Sequence, residues 1–256
     1  MKIVRDPSVY LVGRQTTDAA AIERFLADHQ ASWSTDTEVG AEKLCEIAGR
    51  VCYMSFGKGR KSSAEYLGNI IEMAHGSVLE HAVWNFVITG VSRSFTHELV
   101  RHRAGFGYSQ LSQRYVDEST ADFVEPECIA DDPELHTVWL ESVRQSHEAY
   151  MKLVEGLARR FASEPSATLR RKLARQAARS VLPNATETKI FVTGNGRAWR
   201  HFIEARANEH AEVEIRKVAV AILRVLQKES PNLFGDYTIT TLADGLEIAS
   251  TEHRKV

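Results

Sequence analysis

Fifteen residues, Arg101-His102-Arg103-Ala104-Gly105-Phe106-Gly107-Tyr108-Ser109-Gln110-Leu111-Ser112-Gln113-Arg114-Tyr115, carry three arginines, one histidine and two serines around two glycines. Guanidinium forks match phosphate oxygens bidentately, and glycine lets backbone N–H groups approach an anion. The run suits a phosphorylated ligand. A solvated basic helix end, its Arg and His complementing the helix dipole, would account for the same composition. Both readings stand on these residues alone.

Three further clusters bear polar chemistry. Arg170-Arg171-Lys172, Arg175 and Arg179 read mainly as a wet helix face; Arg179 differs in lying where the sequence turns apolar. In the stretch Asn195–His210, Asn195 can cap a helix, Trp199, Phe202 and Ile203 can face inward, and Arg206 and His210 fall one turn apart. His201, Glu204, Glu209, His210 and Glu212 invite a metal reading, but no HExxH spacing or accompanying cysteine supports one, and no metal is expected. His75-Gly76-Ser77-Val78-Leu79-Glu80-His81 reads as a helix end turning into a strand. No GxGxxG, P-loop or GxSxG motif occurs, and Gly57-Lys58-Gly59-Arg60-Lys61 reads as a basic turn.

The elements that must position these residues follow from periodicity. Helical spacing covers 18–29, 41–53, 63–75, 92–103, 133–162 and 169–179, with one long or two joined helices over 196–227. Ser62-Ser63-Ala64-Glu65 resembles a capping box. Residues 9–12 and 186–192 read as strands, and 81–89 alternates with Ala82, Trp84, Phe86 and Ile88 on one face. Residues 122–133 read as an acidic loop. The expectation is one α+β domain over 1–256, a mainly antiparallel sheet flanked by long helices.

The chain has 256 residues, 43% hydrophobic and 26% charged, which is ordinary globular composition. Its net charge of −2 argues against a non-specific nucleic-acid-binding module, which would be basic overall. Cys45, Cys52 and Cys128 are odd in number and form no CxxC pair, so a reducing compartment is expected. The first residues lack the apolar run of a signal peptide, and no stretch approaches the ~20 residues of a membrane span. A cytoplasmic protein with no membrane partner is expected.

Taken in order, the clusters resemble the flavin-dependent thymidylate synthases from about Cys52 to Phe234. The family signature is Arg-His-Arg, seven residues, then Ser; here Arg103 is followed by eight residues before Ser112. Ser55-Phe56, His75 to His81, Ala178 to Pro183 and Asn195 to His210 match as well. The resemblance implies reductive methylation of dUMP to dTMP, with methylenetetrahydrofolate as carbon donor and FAD and NADPH as reductant. It also implies a homotetramer with shared active sites. Ser55, His75, Ser77, Glu80, Arg101, His102, Arg103, Asn195, Arg197, His201 and His210 match cofactor positions. Glu98, Arg101, Gln110, Ser112, Gln113, Arg114, Arg179 and Arg206 match nucleotide positions.

The chemistry agrees with this assignment. Two anionic ligands would draw arginines into a mildly acidic chain. A guanidinium beside a uracil carbonyl stabilises developing enolate charge, and Arg206 is the candidate. Ser112 has no base evident beside it, so its part is positioning near the nucleotide. No cysteine lies in a motif suited to a thiolate mechanism. The extra residue in the Ala104–Gly107 loop and the small Ala205 beside Arg206 raise UMP as an alternative substrate, which would give 5-methyl-UMP.

Overall fold

The computed structural model describes residues 1–59 and 62–256; Arg60 and Lys61 of the basic turn lie outside the described residues. In chain order the elements are β1 (Ile3–Val4), β2 (Ser8–Arg14), α1 (Ala19–Asp28), α2 (Gly40–Val51), α3 (Ser63–Glu72), α4 (Gly76–Leu79), β3 (Val83–Ser92), α5 (Arg93–Leu99), β4 (Phe106–Gln110), β5 (Phe123–Val124), α6 (Glu127–Ala130), α7 (Pro133–Arg160), α8 (Ala167–Ala178), β6 (Glu187–Asn195), α9 (Gly196–Arg206), α10 (Val213–Glu229), α11 (Pro231–Phe234), β7 (Thr238–Thr241) and β8 (Glu247–Ser250). Short 3-10 turns cover Glu118–Thr120 and Arg179–Val181. With 49% helix and 17% strand the fold is α+β, as expected. The four-stranded antiparallel sheet has the order β2-β3-β6-β4.

The chain forms two compact units. The first comprises Met1–Ser8, Ile88–Val100 and Ser109–Ile190, the second Val9–Val87, Arg101–Tyr108 and Phe191–Val256. In the first, Val143 of α7 packs with Ala121 and Phe123 in a small core, with Trp139 of the same helix against it. In the second, T-shaped aromatic contacts knit sheet to helix: Trp84 to Phe234 at 5.5 Å and Phe86 to Trp199 at 5.2 Å. The alternation read in β3 holds, because Ala82, Trp84, Phe86 and Ile88 are all buried. Glu42 is fully buried and accepts from Thr37 Oγ1, Ser230 Oγ and both nitrogens of Asn232, which ties α2 to α11.

Helix ends follow local chemistry. Asp18, Ser62, Ser92, Asp132, Ser166 and Asn195 each accept a backbone N–H at an N-cap. Several limits differ from the periodicity. α3 stops at Glu72, and Ala74 takes φ 54° before the single helical turn of α4, which occupies the expected helix-to-strand turn. α5 ends at Leu99, so Arg101–Arg103 lie beyond the helix. The glycine-containing Phe106–Gln110 is strand β4, and the acidic loop contains β5 and α6. α9 ends at Arg206, with Asn208 Nδ2 donating to the Ala205 carbonyl, so His210 leaves the face it was expected to share with Arg206. The β7–β8 hairpin, with Asp244-Gly245 at its turn, was not expected at all.

Candidate active site

The second unit gathers most of the expected cofactor positions. Arg50 is buried on α2 and donates to Glu46 through Nε and Nη2; its Nη1 donates to the carbonyls of Ser55 (3.1 Å) and Lys58 (3.2 Å). The Ser55 turn is thereby fixed to α2. His75, Gly76, Ser77, Tyr66, Cys52 and Arg197 line a cleft of about 370 Å³. At Gly76 a Cβ would lie 2.5 Å from the backbone carboxyl carbon of Val256 and 2.9 Å from Arg197 Nε, so only glycine allows this approach. Arg197 Nη1 donates to Glu80 Oε1 at 2.7 Å, which joins two positions expected to serve the same cofactor.

The Arg101–Arg103 arm lies in the same unit, with Arg101 and Arg103 exposed and His102 half-buried. Tyr108 donates its hydroxyl to the His102 carbonyl, and the Asn195 N–H donates to the Gly105 carbonyl at 3.1 Å. Gly105 adopts φ +75°, and a Cβ there would lie 2.7–2.8 Å from Asn195 and Ala198. The longer arm loop is thus seated on the start of α9, where Asn195 Oδ1 also accepts the Ala198 N–H at 2.8 Å.

His102 and Arg206 meet: Arg206 Nε donates to His102 Nε2 at 2.9 Å. The His102 ring packs edge-on against Phe202 at 5.2 Å and lies 5.8 Å from the His201 ring. Burial, then the charge of Arg206, then His201 hold its pKa down from 6.5 to about 4. His102 is therefore neutral near pH 7, as an acceptor must be. His210 instead lines another cleft, of about 500 Å³, with Glu204, Tyr237 and Arg254; its ring is exposed and 3.5 Å from Glu209.

The first unit carries the remaining expected nucleotide positions. Gln110 Nε2 donates to Thr96 Oγ1 at 3.0 Å and Thr188 Oγ1 at 3.4 Å. Ser112 begins a turn: its carbonyl accepts the N–H groups of Tyr115 and Val116, and its Oγ accepts the Arg114 N–H. Gln113 Nε2 and Arg114 Nε are buried without a partner among the described residues. Orphaned buried donors are costly, and an anionic or carbonyl-bearing ligand would satisfy them. Glu98 and Arg179 are half-buried.

Two further cations stand here: Arg93, which the sequence did not single out, and Lys172, read as part of a wet helix face. Arg93 has a buried Nη1 with no partner among the described residues, and burial, against the pull of Glu118 and reinforced by Arg179, holds its pKa below the usual value. It stands in the first turn of α5, where a cation opposes the helix dipole; that mismatch was the available signal. Lys172 lies 5.1 Å over the exposed Tyr115 ring and lowers the pKa of that phenol. Among the described residues no group of three or more side chains could hold a metal ion, and no helix is long and apolar enough to cross a membrane.

The thymidylate synthase complementing protein family matches residues 35–232. A flavin-dependent thymidylate synthase of Mycobacteroides abscessus is 55% identical over 88% of this chain and 90% of its own length. Proteins of the same description from Mycobacterium avium and Mycobacterium tuberculosis are 54% and 52% identical, each over 89% of this chain and 91% of its own length. With its arm, its orphaned donors and these relatives in agreement, the chain belongs to the flavin-dependent thymidylate synthase family.

Proposed function

We propose that the protein is an FAD-dependent enzyme that methylates C5 of dUMP to give dTMP, taking the carbon from methylenetetrahydrofolate and the reducing equivalents from NADPH. The observation that carries this reading is the hydrogen bond from Arg206 to His102. It brings the guanidinium proposed for the uracil against the arm proposed for the flavin.

The residues fit both ligands. The cations Arg101, Arg103 and Arg197 with the Ser77 hydroxyl suit a pyrophosphate, and the cleft beside His75 gives an aromatic wall at Tyr66. When bound, FAD supplies hydride transfer that no side chain can perform. The protein's own part is binding and electrostatics. Arg206 holds the uracil carbonyl on which negative charge develops. Gln113 and Arg114 offer buried donors to the nucleotide, and Arg179 with Arg93 balances its phosphate charge. Ser112 shapes the turn that presents them.

The arm loop packs on Asn195, and dUMP is the proposed substrate, with UMP the alternative raised by the extra arm residue and Ala205. The match at 35–232 draws on both compact units, which supports treating residues 1–256 as one synthase-like domain. A homotetramer is proposed from the family resemblance, and the exposed Leu135 and Val138 of α7 are available to an interface. The test is to incubate flavin-loaded protein with dUMP, methylenetetrahydrofolate and NADPH, with UMP in parallel, and to measure methylated nucleotide. Bound flavin without any dTMP formed would refute the assignment.

A further inference from the structure

Arg206 is the last residue of α9, and its side chain shares a face with Phe202, one turn earlier. His102 comes from the arm, 104 positions away, and wedges its ring against that face. A guanidinium Nε–H can only donate, so His102 Nε2 must accept and the ring proton must sit on Nδ1. The ring is held from several sides. Phe202 is buried and meets it edge-on at 81°, while the Tyr108 hydroxyl fixes the His102 carbonyl.

Arginine is planar, so fixing the direction of its Nε–H fixes the plane of the guanidinium and the aim of both Nη groups. An unrestrained arginine at a helix end would sample several rotamers, and each catalytic encounter would require it to be ordered again. A neutral imidazole suits the task better than a carboxylate. It orients the guanidinium without cancelling the charge needed at the uracil, and burial together with Arg206 itself keeps it neutral.

We propose that His102 is the positioning residue for Arg206, aiming its guanidinium through the Nε–Nε2 hydrogen bond, in addition to any contact of the arm with the cofactor. The proposal rests on the reading of Arg206 as the guanidinium that acts on the uracil.

The test uses flavin-loaded full-length protein and four variants. His102→Phe keeps a ring against Phe202 but has no acceptor. His102→Gln places an amide oxygen near the former Nε2 and cannot be charged. Arg206→Lys keeps a cation but loses the Nε–H and the planar fork that His102 would aim, and the fourth variant combines His102→Phe with Arg206→Lys. Flavin content, kcat and the KM for dUMP are measured for each. His102→Phe should lose about 10²-fold in kcat, the scale of a small misplacement of a catalytic group, with flavin still bound. His102→Gln should recover most of that loss, and the double variant should be no slower than Arg206→Lys alone. If His102→Phe does not fold, His102→Ala replaces it in the same comparison.

Full activity in His102→Phe, failure of His102→Gln to restore activity, or losses that multiply in the double variant would each overturn the proposal. So would a His102→Phe protein that excess FAD cannot reload, because His102 would then serve the cofactor alone. Normal turnover by Arg206→Lys would instead remove the reading of Arg206, which separates that failure from failure of the positioning role.

Discussion

Glu80 and Arg197 lie 117 positions apart, and Arg197 Nη1 reaches Glu80 Oε1 at 2.7 Å. Both side chains remain 47% exposed, so the pair is a weak structural link. Exposed pairs of this kind are worth about 0–1 kcal/mol. Arg197 also lines the cleft beside His75.

Arg197→Ala should therefore lower FAD affinity by about 10-fold or more, the loss of one charge-assisted hydrogen bond, and barely move the melting temperature. Flavin titration and thermal unfolding of the same preparations separate the two effects. Equal flavin affinity in variant and parent would exclude Arg197 from the cofactor site.

Acid stability should carry the signature of His102. Its pKa is about 4 in the folded chain, against 6.5 as the ordinary value. Between those values the unfolded chain binds a proton that the folded chain refuses, so stability is intact above pH 6.5 and falls as the pH drops toward 4. Denaturant unfolding at pH 7.5 and pH 5 should show a loss in the parent that is smaller in His102→Gln. An identical pH response in both proteins would contradict the neutral, half-buried ring.

Gly105 should tolerate no side chain. Gly105→Ala meets a φ of +75° and a Cβ 2.7–2.8 Å from Asn195 and Ala198. Gly245, with φ +84° and nothing within 4 Å of its Cβ position, is the control. Gly245→Ala should cost only the left-handed backbone penalty, about 1–2 kcal/mol. Gly105→Ala should cost more and should weaken FAD binding through Asn195. Equal stability losses in the two variants would show that the arm loop yields without disturbing α9.

The cysteines should differ in reactivity by position. Cys45 is fully buried and its thiol is pushed up to about 12, mainly by burial, whereas Cys52 and Cys128 are exposed. A thiol reagent should label two cysteines in the folded protein and three after unfolding. Cys52 lines the cleft beside His75, so saturating FAD should slow its labelling and leave Cys128 unaffected. Protection of neither residue would argue against the cofactor filling that cleft. The Cys52→Ala, Cys128→Ala double variant should retain its turnover.

Much of the local structure was legible because it depends on near neighbours. The caps at Ser62 and Asn195, the alternation through Trp84 and Phe86, and the inward face of Trp199, Phe202 and Ile203 all follow from spacing within one or two turns. The clustering of Arg101–Tyr115 marked the site region for the same reason: those residues are adjacent. The β7–β8 hairpin has a readable signal in Asp244-Gly245 between two short alternating runs. The end of α5 at Leu99 was less accessible, because helical period continues to Arg103 while the Tyr108 hydroxyl and Asn195 hold the arm in another path. Only the tertiary structure decided which polar groups meet. Nothing in sequence joins His102 to Arg206, Glu80 to Arg197, or Gly105 to Asn195. Those contacts arise because packing of α9 brings distant segments within the 3 Å scale of a hydrogen bond, a distance that periodicity and composition do not encode.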